Sequence, residues 1–180
     1  MSGHSHWSTI KHDKGVEDAK KSKAFTKMGR LITVAVKKGG GDPSSNPTLR
    51  TAIEKARKVN MTNDLIDRTI KKALGEGKDT IMEEAILEGY GPSGVGFLVE
   101  ILTDNRNRTV SEIRNIFSRH GGNLGEAGST SYIFNPDPRN PQFLIPLEDA
   151  ETKERIKNLL DTLRENDDVQ EVYANFSESV

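Results

Sequence analysis

Two oppositely charged modules share this chain, and the division constrains its fold more than any motif. The formal net charge is −1. Cut after Lys78, however, residues 1–78 hold 17 Lys+Arg against 8 Asp+Glu, a net of +9. The remaining 9 Lys+Arg and 19 Asp+Glu give residues 79–180 a net of −10. One core does not ordinarily carry so sharp a step. The expectation is a basic domain over 1–78 and an acidic domain over 79–180, with a polyanion as the basic domain's partner.

Hydropathy assigns a different architecture to each half. Apolar residues at helical spacing predict a helix over Val16–Lys38, closed by Gly39-Gly40-Gly41. Asn46-Pro47 reads as a cap followed by proline at the first helical position, opening a helix to Val59. A third helix runs from Thr62 or Asn63 to Gly75. The acidic half predicts strands at Ala85–Tyr90 and Val95–Thr103, then a helix opened by a Thr109-Val110-Ser111-Glu112 capping box. Strands at Ser131–Asn135 and Phe143–Leu147, a helix over Ala150–Asn166 capped by Asp149, and a strand at Val169–Phe176 complete it. From Val95 that order is βαββαβ. The fold class is therefore α+β: a three-helix domain followed by a ferredoxin-like domain with an extra hairpin strand.

No cysteine is present, which excludes disulfides, thiolate metal sites and a cysteine nucleophile. Neither a membrane-spanning run nor a secretory signal is evident, so a cytoplasmic protein is expected. Gly89-Tyr90-Gly91-Pro92-Ser93-Gly94 spells G-x-G-x-x-G, but a strand follows where dinucleotide binding needs a helix, so the segment reads as a turn. Gly39–Asp42 lacks the Lys of a phosphate-binding loop. Ser2-Gly3-His4 is a chelating tripeptide only if Met1 is removed, and is treated as incidental. His120 reads as a helix-end dipole partner. No catalytic set, metal site or cofactor site is assigned. The enzyme alternative would require turnover dependent on His120 or Asp104.

The candidate nucleic-acid contacts are Lys20, Lys23, Lys27, Arg30, Lys37, Lys38, Arg50, Arg57 and Lys58 on the helices, with Trp7, Lys11 and Lys14 in the preceding tail. Lysines with few acidic neighbours repel one another, whereas phosphates would neutralise them. Trp7 is suited to stacking on a base or to packing on the bundle. In the acidic half, Asn105, Arg106 and Arg108 sit in the polar loop 103–109. Asparagine there is also a common cap, while the two arginines have no evident structural task in the sequence.

These blocks together resemble the YebC/PmpR family. The likeness rests on Gly3-His4-Ser5-His6-Trp7, Lys23–Lys27, Gly39–Pro43, Asn46-Pro47, Glu88–Pro92, Thr103–Thr109, Gly121–Gly125 and Asp167–Phe176. The resemblance implies a regulator of gene expression, with promoter DNA or ribosomal RNA as the nucleic-acid partner. Ribosomal proteins are further candidate partners. It also implies two α/β domains, one inserted in the other. Here the chain passes from Phe134 through 135–142 directly to Phe143, so the inserted domain is expected to be absent. Lysine-rich helices without a reading helix favour structured RNA over duplex DNA.

Overall fold

The structure, a computed structural model, describes the backbone of residues 5–75 and 82–178, and the side chains of 17–75 and 82–177. The chain divides into two compact units, residues 1–79 and 80–180.

Helix α1 (Ser5–Gly39) begins eleven residues before the expected start at Val16. Residues 5–15 contain no proline and one glycine, so no breaker stops the helix there. Gly40 ends it at φ 84°, a left-handed conformation that glycine adopts without strain. Asn46 then joins α1 to α2 (Pro47–Lys58): its Oδ1 accepts the Leu49 N–H at 3.0 Å. Its Nδ2 donates to the carbonyls of Ala35 and Gly40, both at 2.8 Å, so the buried amide leaves no polar atom unpaired. The expected cap is therefore also a cross-helix strut. Helix α3 (Asn63–Gly75) follows a four-residue connection, 59–62. Ile32, Ala35, Val36, Leu49, Ile53, Ala56, Met61 and Ile66 close the core of this unit.

The second unit is built on strand β2 (Gly96–Thr103), buried on both faces. Strand β1 (Glu83–Tyr90) pairs antiparallel with it from Glu83↔Thr103 to Tyr90↔Gly96. A single 3-10 turn, Pro92–Gly94, joins them, which realises the turn expected at the G-x-G-x-x-G segment. Gly91 is required by packing, because a Cβ there would lie 2.6 Å from the Phe97 ring. Two short strands complete the sheet: β3 (Asn123–Leu124) beside β1, and β5 (Val169–Ala174) beside β2. The order is β3-β1-β2-β5. Helices α4 (Arg106–Arg119) and α6 (Ala150–Glu165) cover one face. There Phe97, Val99 and Ile101 meet Ile113, Phe117, Ile156, Leu159 and Leu163. The rings of Phe97 and Phe117 meet edge to face, with centroids 5.6 Å apart.

The α+β class with its three-helix first domain holds, and both helices cover one sheet face as expected. The interior of the ferredoxin-like scheme does not form. Ser131–Phe134 is a helical turn, α5, not a strand. Strand β4 (Ile145–Leu147) pairs in parallel with β6 (Phe176–Glu178), outside the main sheet. The cause is Glu88. Its carboxylate accepts the N–H groups of Gly128 (2.8 Å), Thr130 (2.6 Å) and Ser131 (2.7 Å), the donors that open α5. Those donors are thereby unavailable to a ladder. The turn places Ile133 and Phe134 over Leu98 on the sheet's second face. The expected final strand is divided by buried Asn175, which accepts the Gly96 N–H at 2.7 Å through Oδ1 and the Ile145 N–H at 2.8 Å through its carbonyl. One residue thus ties the two sheets.

Burial pushes the Glu88 carboxyl up, but the three N–H groups and the Thr130 hydroxyl outweigh it, leaving its pKa below the ordinary 4.5. A lowered folded-state pKa contributes stability that is complete above the unfolded value and is lost as pH falls through the folded one. Glu88→Gln should therefore cost about 2–3 kcal/mol in urea unfolding at neutral pH. That difference should shrink as the pH is lowered below 4.5. A difference unchanged in strongly acidic buffer would disprove this role.

Candidate nucleic-acid interface

The core of the first unit is filled by apolar side chains, and many of its described cations lie at the surface. Lys20, Lys37, Lys38, Arg50, Arg57 and Lys58 are exposed, while Lys23, Lys27 and Arg30 are half-buried. Trp7, Lys11 and Lys14 fall within α1, extending the helical backbone where a tail was expected. Their side chains lie outside the described residues, as do residues 1–4 entirely.

Two of these cations have structural tasks that the sequence did not disclose. Arg50 donates through Nε and Nη2 to the Pro43 carbonyl at 3.3 and 3.2 Å, and through Nη2 to the Ser44 carbonyl at 3.2 Å. It thereby ties α2 to the turn before it. Arg57 donates to Asn63 Oδ1 at 3.2 Å, across the α2–α3 connection. That connection has the length found in helix–turn–helix motifs, which read bases with the N-terminal residues of the second helix. On α3 those positions hold Asp64 and Asp67, both exposed. Asp64 pairs with Arg68 at 2.6 Å, and acidic side chains at these positions accept only from cytosine, a narrow base-reading chemistry.

The polar loop of the second unit is rearranged relative to expectation. Asn105, not Thr109, caps α4: its Oδ1 accepts the Arg108 N–H at 3.1 Å. Thr109 points inward instead. Its hydroxyl contacts Asp168 and lies 2.8 Å from that of Thr103. Asp168 is 3% exposed. It also accepts from Arg108 Nη2 at 2.8 Å, a nitrogen equally close to Asp104. The Asp168 and Asp104 carboxylates hold the Arg108 guanidinium far above its ordinary pKa. Arg106 pairs with Glu83. Both arginines therefore have acidic partners: Arg106 in an exposed surface pair, and Arg108 against buried Asp168, a structural task not expected for this loop. Sequence distance hid them, since Asp168 lies 60 residues from Arg108 and Glu83 lies 23 from Arg106.

His120 caps the C-terminal end of α4, with Nδ1 2.8 Å from the Ile116 carbonyl and Nε2 3.3 Å from the Thr162 hydroxyl. This is the helix-end position expected for it. Among the described residues no cluster of His, Asp or Glu could hold a metal ion, and no helix is long and apolar enough to cross a membrane.

The family is decided by two matches. Residues 5–76 match the TACO1/YebC protein N-terminal domain, and residues 82–137 match the TACO1/YebC second and third domain. The chain belongs to the TACO1/YebC family. A relative in Finegoldia magna is 53% identical over 161 residues, covering 89% of this chain and 66% of the relative. Another, in Trichlorobacter lovleyi, is 58% identical over 135 residues, covering 75% and 55%. A third, in Citrifermentans bemidjiense, is 40% identical over 237 aligned positions, covering 98% and 96%. All three bear the name "Probable transcriptional regulatory protein". The chain thus spans 66% and 55% of the first two relatives. The third alignment is longer than this 180-residue chain, so the relative has segments without a counterpart here. A crystal structure of a conserved hypothetical protein from Aquifex aeolicus superposes with a TM-score of 0.81 at 35% identity, covering 91% of this chain and 93% of that one.

The Arg108 geometry yields a direct test. Arg108→Gln leaves Asp168 buried without its cation. It should lower urea stability by about 1–2 kcal/mol, less than for a fully buried pair because the guanidinium side chain is 43% exposed. Full stability together with a clear loss of nucleic-acid affinity would contradict the structural assignment.

Proposed function

We propose that this TACO1/YebC chain is a non-enzymatic, cytoplasmic regulator of gene expression that binds nucleic acid through its basic three-helix unit. The observation that carries the reading is the +9 charge of residues 1–78 together with the exposure of Lys20, Lys37, Lys38, Arg50, Arg57 and Lys58 on a unit whose core is filled by apolar side chains. Such a surface gains by exchanging condensed counterions on a phosphate backbone for its own cations. The relatives' names support a regulatory role. They favour DNA as the target, and that is the second reading.

The first reading is structured RNA at the ribosome. Asp64 and Asp67 at the start of α3 disfavour base readout in a major groove. Backbone contacts from long lysine-bearing helices suit a folded RNA. Ribosomal proteins are basic partners of the right sign for the acidic unit. We infer that the family's inserted domain is missing near residues 135–142; an alignment longer than the chain supports this reading. Functions resident in that domain are not assigned here.

Replacing exposed Lys20, Lys37, Lys38 and Lys58 with Gln should flatten the plot of log affinity against log salt by about 3. Fluorescence anisotropy with a structured ribosomal RNA fragment measures this, and an unchanged slope would rule out the basic face. Crosslinking in cells, followed by sequencing of both RNA and DNA, separates the two targets. Ribosomal RNA enrichment is the expected result, and promoter DNA enrichment alone would replace the first reading with the second.

A further inference from the structure

The acidic unit contains a cation-lined cleft that no sequence motif marks. It lies between α6, the edge strand β5 and the loop 136–142, with a volume of about 410 Å³. Arg139 comes from the loop, and Lys157 and Arg164 come from α6. Lys157, Leu160 and Arg164 are spaced i, i+3, i+7 and share one helix face, so two cations flank a buried leucine. The half-buried rings of Tyr173 and Phe176 form the aromatic part of the wall. None of the residues lining the cleft is acidic, although the unit is strongly acidic as a whole. Carboxylates also lie near the cleft: Glu100, Glu171 and Asp137 all act on Tyr173, and Asp137 is in addition engaged by its own turn. Its Oδ1 accepts the Arg139 N–H at 3.0 Å and its Oδ2 accepts from Asn140 at 2.7 Å.

We propose that this cleft binds an unpaired segment of RNA, with phosphate at Arg139, Lys157 and Arg164 and a base against Tyr173 or Phe176. Cations beside aromatic rings are the chemistry of single-strand recognition, because every base has a face to stack and every nucleotide a phosphate. The volume falls within the roughly 300–1,000 Å³ common for small-ligand sites, enough to seat part of a strand. The inference rests on the nucleic-acid reading above, and moves the acidic unit's contact from Arg106 and Arg108 to a different wall. It also gives the short loop a use, since residues 136–142 supply one side of the cleft.

The test uses the full chain with two probes, a single-stranded oligouridylate and a fully paired RNA hairpin. The triple variant Arg139→Gln, Lys157→Gln, Arg164→Gln should bind the oligouridylate about tenfold more weakly. Its salt slope should fall by about 2, with hairpin affinity retained. The charge-preserving variant Arg139→Lys, Lys157→Arg, Arg164→Lys should keep most of the affinity, which separates charge from folding. Bromouridine in the strand should crosslink to Tyr173 or Phe176.

If the triple variant binds the oligouridylate with the affinity and slope of the parent, the cleft proposal is overturned and the basic-unit reading stands. If the four-lysine variant keeps its hairpin binding while the cleft variant loses the strand, the basic-unit reading fails alone. A parent chain that binds neither probe removes both. An acidic peptide that occupies the cleft while strand binding is unaffected by the triple variant assigns the site to protein instead.

Discussion

Burial of β2 on both faces is the constraint from which the second unit follows. One face must be covered by two helices, and the other needs a cover of its own. The first cover forms readily, because α4 and α6 carry apolar stripes at helical spacing. The second cover is α5, only four residues long, and so short a helix has little intrinsic stability. The N–H of Ser131, with those of Thr130 and Gly128 just before the helix, gathers on Glu88, whose strand lies beside β2. The carboxylate therefore folds a loop onto the sheet rather than merely decorating a strand. With Ile133 and Phe134 placed over Leu98, the loop cannot also provide a ladder strand, and the order β3-β1-β2-β5 results.

Helices were legible in the sequence because their determinants are local. Asn46-Pro47 and Asp149 cap where expected, and the apolar stripes of α2 and α6 are the buried ones, whereas on α3 Ile66 and Ala73 are buried but Leu74, expected inward, is exposed. Two local signals misled. Thr109 satisfies a capping-box pattern, yet Asn105 lies four residues earlier and its side chain reaches the Arg108 N–H. Ser131–Asn135 has the composition of a short strand, and only the donor–acceptor match with Glu88, more than forty residues away, makes it a helix. Hydrogen-bond partners that distant leave no periodicity to detect.

The same distinction separates the two sets of candidate site residues. Net charge is additive along a chain, so the basic character of the first unit was readable by counting. Whether one arginine is committed within the fold is a pairwise property. Arg106 and Arg108 stood out as cations without a task, and each has an acidic partner in space. Arg50 and Arg57 stood out as part of a basic face, and each holds a connection. Conversely, Arg139, Lys157 and Arg164 are unremarkable in sequence, dispersed among acidic neighbours. Topology gathers them, because β5 is an edge strand and α6 packs against it.

A unit of net −10 that contacts a polyanion is not a contradiction once distance is considered. At physiological salt the Debye length is about 8 Å, so on the proposed reading Glu100, Glu171 and Asp137, which act on Tyr173, oppose the cleft's three cations locally, and only carboxylates on remote surfaces are screened. Those carboxylates matter at longer range, during approach, where they repel strands arriving in other orientations. Local attraction within general repulsion selects for pose more than for affinity. On the proposed reading it also separates duties within one chain: the basic unit would supply strength through many phosphates, while the acidic unit would admit a strand only at the cleft.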